Sequence, residues 1–179
     1  MLNITVPGAE YYKEDTSEFI TIKEQHLQLE HSLVSLSKWE SKWCKPFLST
    51  EDKTTEMNLD YIRCMTLTQN VDPKVYYALT SKNIKEITDY INAPMTATWF
   101  SQNKKNPSRE IVTAEIIYYW MIALNIPFEC QKWHLNRLLT LIQVCNLKNA
   151  PQKKMGRRDV LNRNRALNEA RRAKFNSKG

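Results

Sequence analysis

The stretch EIIYYWMIALNIPFECQKWHLNRLLTLIQVCNLK, residues 115–148, decides the fold class. Its first part, Ile116-Ile-Tyr-Tyr-Trp-Met-Ile-Ala-Leu124, is nine apolar or aromatic residues in a row with no polar face. Such a run predicts a helix buried nearly all round, with Thr113 as its cap. Pro127 breaks the chain, and Leu135, Leu138, Ile142 and Cys145 recur at helical spacing, which predicts a second helix from about Glu129 to Lys148. These two helices are the expected centre of the core.

Upstream, Leu33, Leu36, Trp39 and Trp43 fall on one face of a helix that Pro46 must end. A further helix is expected from Ser49 or Thr50, where Ser-Thr-Glu-Asp offers a cap and first-turn acids, and runs past Leu59, Ile62 and Cys64. A short helix around Val75 to Leu79 and another from Ser81 through Ile84, Ile87 and Ile91 follow. Ala93-Pro94 then leads to a strand or extended piece at Thr96 to Phe100 and a polar linker, SQNKKNPS, from Ser101. At the start, Leu2, Ile4 and Val6 alternate with polar residues, as do Phe19-Ile-Thr-Ile-Lys and His26-Leu-Gln-Leu, and the polar run Lys13-Glu-Asp-Thr-Ser separates them as a turn. Period-two alternation predicts a small antiparallel sheet. The fold class expected is therefore α+β and predominantly helical: a globular domain over residues 1–148 and a basic helical arm over residues 149–179.

Charge is segregated along the same boundary. The last 32 residues hold 11 Lys and Arg against Asp159 and Glu169, whereas residues 1–147 hold 15 basic and 17 acidic groups, so the net +7 belongs to the arm. A helix is expected from about Asp159 to Phe175, with Asp159/Arg163 and Arg165/Glu169 as ion pairs four residues apart. It has too few large apolar groups on one face to be stable alone, so it gains order on binding. Segregated positive charge suits an acidic or helical protein partner or nucleic acid, or is merely a solvated tail. Phosphate contact by Lys153, Lys154, Arg157, Arg158, Arg171 and Arg172 would weaken steeply with salt, whereas a protein groove reading Leu161, Leu167 and Phe175 would not. The candidate partner-binding set is Lys132, Trp133, Arg137, Lys153, Lys154, Arg157, Arg158, Arg163, Arg165, Arg171, Arg172 and Lys174. Of the five tryptophans only Trp133, among Lys132, His134 and Arg137, is expected to be half exposed.

Much chemistry is excluded. The only glycines are Gly8, Gly156 and Gly179, so no P-loop, dinucleotide fingerprint, nucleophile elbow or GXXG loop can be present, since each needs glycine at a positive φ or a close phosphate approach. Cys130 and His134 stand four apart, as two metal ligands or a nucleophile and base would. A structural zinc needs four ligands, so Cys145 and His26 or His31 would have to converge, and a Cys/His dyad needs an orienting group. A satisfied histidine and a buried thiol are the expectation, with no metal, no cofactor and no catalytic residue. Cys44, Cys64, Cys130 and Cys145 are unpaired in spacing and read as free, buried thiols in a reducing compartment. The start lacks a signal peptide, and no apolar run approaches the ~18 residues of a membrane span. The chain thus reads as a soluble intracellular protein with no membrane partner.

Three blocks carry a resemblance: LQLEHSLVSLSKWESKW (residues 27–43), EIIYYWMIALNIPFECQKWHLNRLLTLI (residues 115–142) and RNRALNEARRAKFNSKG (residues 163–179). They resemble proteins of bacteriophage tail modules, in particular the tail assembly chaperones made alongside the tape-measure protein. The resemblance implies a non-enzymatic protein of the host cytoplasm that coats the long helical tape measure and hands it to polymerising tail-tube subunits. Such families often make a short form and a longer frameshifted form. The resemblance transfers no catalytic or binding residue. A nucleic-acid-binding protein acting through the arm, and a permanent component of the virion tail or connector, are the alternatives, and an oligomer is compatible with each.

Overall fold

The computed structural model describes residues 1–13, 18–100, 111–150 and 156–176, in two compact units, Met1–Leu147 and Lys148–Gly179. The protein is α+β and predominantly helical. Strands β1 (Leu2–Val6) and β4 (Gln25–Leu29) pair antiparallel with Leu2 opposite Leu29, and β2 (Ala9–Lys13) pairs with β3 (Glu18–Ile22) with Ala9 opposite Ile22. Both ladders keep the register of a single hairpin, interrupted at Pro7-Gly8. Proline has no N–H to give the ladder, and a Cβ on Gly8 would stand 3.2 Å from the Ile22 carbonyl oxygen. Ile4, Val6, Leu27 and Leu29 alternate into the core as their spacing requires. The sequence names three of these strands and misses β2, because Ala-Glu-Tyr-Tyr-Lys does not alternate and its pairing follows from the hairpin register. Lys13 belongs to β2, and the rest of the expected turn lies outside the described residues.

Helix α1 (Leu33–Trp43) starts in a capping box, in which Ser32 Oγ accepts from Ser35 N–H and Ser35 Oγ accepts from Ser32 N–H at 2.9 Å. It ends at Cys44, whose φ of 50° is left-handed, two residues before Pro46. Its apolar stripe serves two neighbours. Trp39 packs with the β1/β4 ladder, α2 (Thr55–Met65) and α3 (Ser81–Asn92), while Leu33 and Leu36 pack with α4 (Ala114–Ala123) and α5 (Leu135–Asn149). The centre of the core is therefore α1, not the pair α4 and α5, because among the described helices α1 alone contributes buried residues to both clusters.

Helix α2 begins later than expected. Thr50 commits to the turn after α1, its Oγ1 donating to the Pro46 carbonyl at 2.7 Å, and the cap is Thr54, which accepts from Met57 N–H. A 3₁₀ turn at Pro73–Ala78 is capped by Asp72, and Thr80 and Asn83 form a capping box on α3. No strand forms at residues 96–100: the backbone bends at Thr96 and Ala97, without ladder partners among the described residues, and Trp99 is 82% exposed. The expected linker falls in 101–110, outside the described residues.

Two corrections concern the stretch that decides the fold. Helix α4 is not buried all round: Ala114, Ile117 and Met121 are inside, but Tyr119 and Ile122 are 66% and 60% exposed. Thr113 makes no side-chain cap. A buried carboxylate replaces it, since Glu40 of α1 accepts from Ala114 N–H at 2.7 Å through one oxygen and from Phe47 N–H at 2.7 Å through the other. The second helix starts at Leu135 rather than Glu129, after a 3₁₀ turn at Phe128–Lys132. His134 bridges Ser32 in a short antiparallel pairing and Leu135 N–H donates to the His31 carbonyl at 2.8 Å, which holds the backbone out of the helix there. No described helix is long and apolar enough to cross a membrane.

Candidate partner-binding surfaces

Lys132, Trp133 and Arg137 come together where the 3₁₀ turn meets α5. Trp133 is half-buried against the α4/α5 cluster, but Trp43 and Trp120 are half-buried too, so Trp133 is not the one half-exposed tryptophan expected; Lys132 and Arg137 are exposed. The Arg137 guanidinium carbon lies 4.2 Å from the Trp133 ring centre. That cation–π contact, worth about 0.5–1 kcal/mol at an exposed site, occupies a ring face a stacking base would need. The more exposed Trp99 was missed because Thr-Ala-Thr-Trp-Phe reads as a strand.

The arm forms α6 (Arg157–Phe175), with no buried residue. Arg157, Arg158, Arg163, Arg165, Arg171, Arg172 and Lys174 are all exposed, and Arg165 Nε donates to Glu169 at 3.1 Å, one of the two expected pairs. Lys153 and Lys154 lie outside the described residues. On the helical wheel Arg158, Arg165 and Arg172 repeat every seven residues along one stripe, within about 40°. Val160, Leu161, Leu167 and Phe175 fall in an adjoining sector of about 120°. Leu161, Leu167 and Phe175 are 60%, 49% and 72% exposed. Because α6 has no residue in its own length that is buried, removing residues 153–179 is expected to leave the cooperative thermal melt of the remainder unchanged within about 2 °C, since ~1 kcal/mol shifts a domain of this size by about that much or more. Loss of the cooperative transition in calorimetry would contradict it.

Among the described residues of the first unit most buried polar side chains have partners, Arg63 Nε being without one. His134 Nε2–H donates to the Tyr90 carbonyl at 3.0 Å, so Nδ1 accepts from Asn136 N–H at 3.3 Å, and the ring is neutral. Burial holds its pKa down. His31 Nδ1 is hydrogen-bonded to Tyr61 Oη across 2.6 Å, its ring centre 5.0 Å from that of His134. Burial, and then the neighbouring His134, hold His31 down to about 4. Cys130 is buried, with its thiol pushed up by burial, against nucleophile activation. Asp60 accepts from Lys42 Nζ and from Trp43 Nε1 at 2.8 Å. Among the described residues no three metal-type side chains converge. Cys44 is exposed and Cys64 and Cys145 are half-buried, so only Cys130 fits the buried-thiol expectation. A groove of about 400 Å³ between α2 and α3 is lined by Leu59, Ile62, Ile84, Ile87 and Ile91 over Phe47 and Tyr61. No protein-family model, curated protein or solved structure matches this chain.

Proposed function

We propose that this chain is an assembly chaperone of a bacteriophage tail, a non-catalytic factor that binds the tape-measure or tail-tube protein in the host cytoplasm during morphogenesis. The carrying observation is that α6 has no buried residue and displays Leu161, Leu167 and Phe175 beside a stripe of arginines. Apolar side chains cost free energy in water and gain it in a groove, so a protein partner uses what this helix displays better than a phosphate backbone does. The hydrogen bonds made by His31, His134, Glu40 and Asp60 support structural rather than chemical roles for these buried groups. The three sequence blocks supply the phage-tail setting.

The arginine stripe favours a second reading, nucleic-acid binding through α6, and a permanent place in the virion tail or connector is a third. A tagged pull-down from infected cells, halved and treated with or without nuclease, separates the first two: nuclease-resistant recovery of tape-measure or tube protein supports the chaperone, and recovery that collapses with nuclease overturns it. Retention in purified virions would assign the third. With Leu161, Leu167 and Phe175 changed to serine and every arginine kept, recovery of the tail protein is expected to fall by about tenfold or more, as loss of buried anchors does. Unchanged recovery would mean that charge alone does the binding.

A further inference from the structure

The most apolar of the described helices leaves Glu115, Tyr119, Ile122 and Ala123 exposed. Glu115, Tyr119 and Ile122 follow one another at i, i+4 and i+7 on the side of α4 opposite Ile117 and Met121. Tyr118 flanks them, its ring centre 6.4 Å from that of Phe128 and its hydroxyl donating to Gln131 Oε1 at 2.9 Å, and Phe128 is itself 52% exposed. The result is an aromatic and aliphatic face whose carboxylates, Glu115 on the helix and Glu129 next to Phe128, are both exposed. Lys132 closes the far end of the 3₁₀ turn.

We propose that this face of α4, with Phe128, is a docking surface for a cationic amphipathic helix of a partner protein. The strip from Glu115 to Ile122 is one helix wide and about 10 Å long, the shape a helix covers with side chains every three or four residues. The two carboxylates select Lys or Arg on the flanks of the incoming helix and disfavour phosphate backbones and anionic lipid surfaces. The exposed area of three large side chains falls well short of the ~800 Å² per partner of a standard stable interface, so the face suits reversible capture rather than a permanent self-association. The proposal deepens the chaperone reading, on which it rests for its biological setting, by naming the partner's chemistry and a surface separate from α6.

The test uses the full chain and two synthetic peptide helices of about 18 residues, one of leucine and lysine and one of leucine and glutamate, titrated by fluorescence anisotropy at physiological salt. The leucine–lysine helix is expected to bind and its acidic counterpart to bind at least tenfold more weakly, although the chain's overall +7 favours the reverse. Tyr119→Ser with Ile122→Ser should weaken binding by more than about tenfold without changing the thermal melt, since neither side chain is buried. Glu115→Lys should shift preference toward the acidic peptide. Preference of the wild type for the acidic peptide, undiminished binding by the double variant, or a wild-type dimer that the double variant converts to monomer would each overturn the proposal. Because no infected cell is involved, peptide binding without recovery of a tail protein overturns the chaperone reading alone, whereas recovery with no peptide binding overturns this surface alone.

Discussion

Glu40→Ala is expected to lower the unfolding free energy by about 3–5 kcal/mol. The 7%-exposed carboxylate accepts two backbone N–H groups, one from Phe47 seven residues on and one from Ala114 seventy-four residues on. A hydrogen bond to a charged group contributes about 1.5–3 kcal/mol, and removing only the acceptor strands a buried donor. The Ala114 N–H is also the first of the orphan donors at the N-terminus of α4, where negative charge is favoured by the helix dipole. Glu40→Gln keeps one acceptor oxygen and should cost about half as much. Urea unfolding at neutral pH measures both, and a loss below about 1 kcal/mol for alanine would mean that water or another side chain reaches the two donors.

Acidification should remove about 3 kcal/mol between pH 7 and pH 4 through His31 alone. Its pKa is about 4 in the fold against 6.5 unfolded, held down first by burial and then by His134. The fold therefore prefers the neutral ring, the unfolded chain binds the extra proton, and the contribution, complete above pH 6.5, is lost as pH falls from there to 4. Protonating His134 acts in the same direction, since its Nδ1 would gain a proton facing Asn136 N–H. Between pH 6 and 5, above the usual carboxylate range, His31 should impose a slope of about 1.4 kcal/mol per pH unit. His31→Asn should flatten it, and an unaltered slope in that variant would place the acid sensitivity elsewhere.

Legibility differs from element to element. The spacing of Leu33, Leu36 and Trp39 and the alternation of β1 and β4 are local; each could be read because the residues that decide the structure lie within a few positions. The start of α2 was misread because Ser49-Thr-Glu-Asp and Thr54-Thr-Glu are both valid caps, and only the turn closed by Thr50 on Pro46 chooses between them. Of the candidate site, the Trp133/Arg137 pair was legible as i, i+4 neighbours. Glu40 was not, since in Ser-Lys-Trp-Glu-Ser-Lys-Trp it looks like a solvent-facing helix residue, and its partners come from distant segments. The exposed face of α4 was hidden because hydrophobicity shows which side chains would gain from burial, not whether a neighbour arrives to cover them.

By itself, then, the sequence determined three of the four strands and the existence though not the starts of several helices, the predominantly helical α+β class and the concentration of positive charge in the last 32 residues, all consequences of period and composition that act along the chain. Tertiary structure alone decided that α1 joins the two core clusters, that Glu40 caps α4, that His31 and His134 are buried against each other, and that Tyr119, Ile122 and Phe128 stay in water. Those outcomes depend on which long-range segments meet, and burial and hydrogen-bond satisfaction are properties of the meeting rather than of either segment.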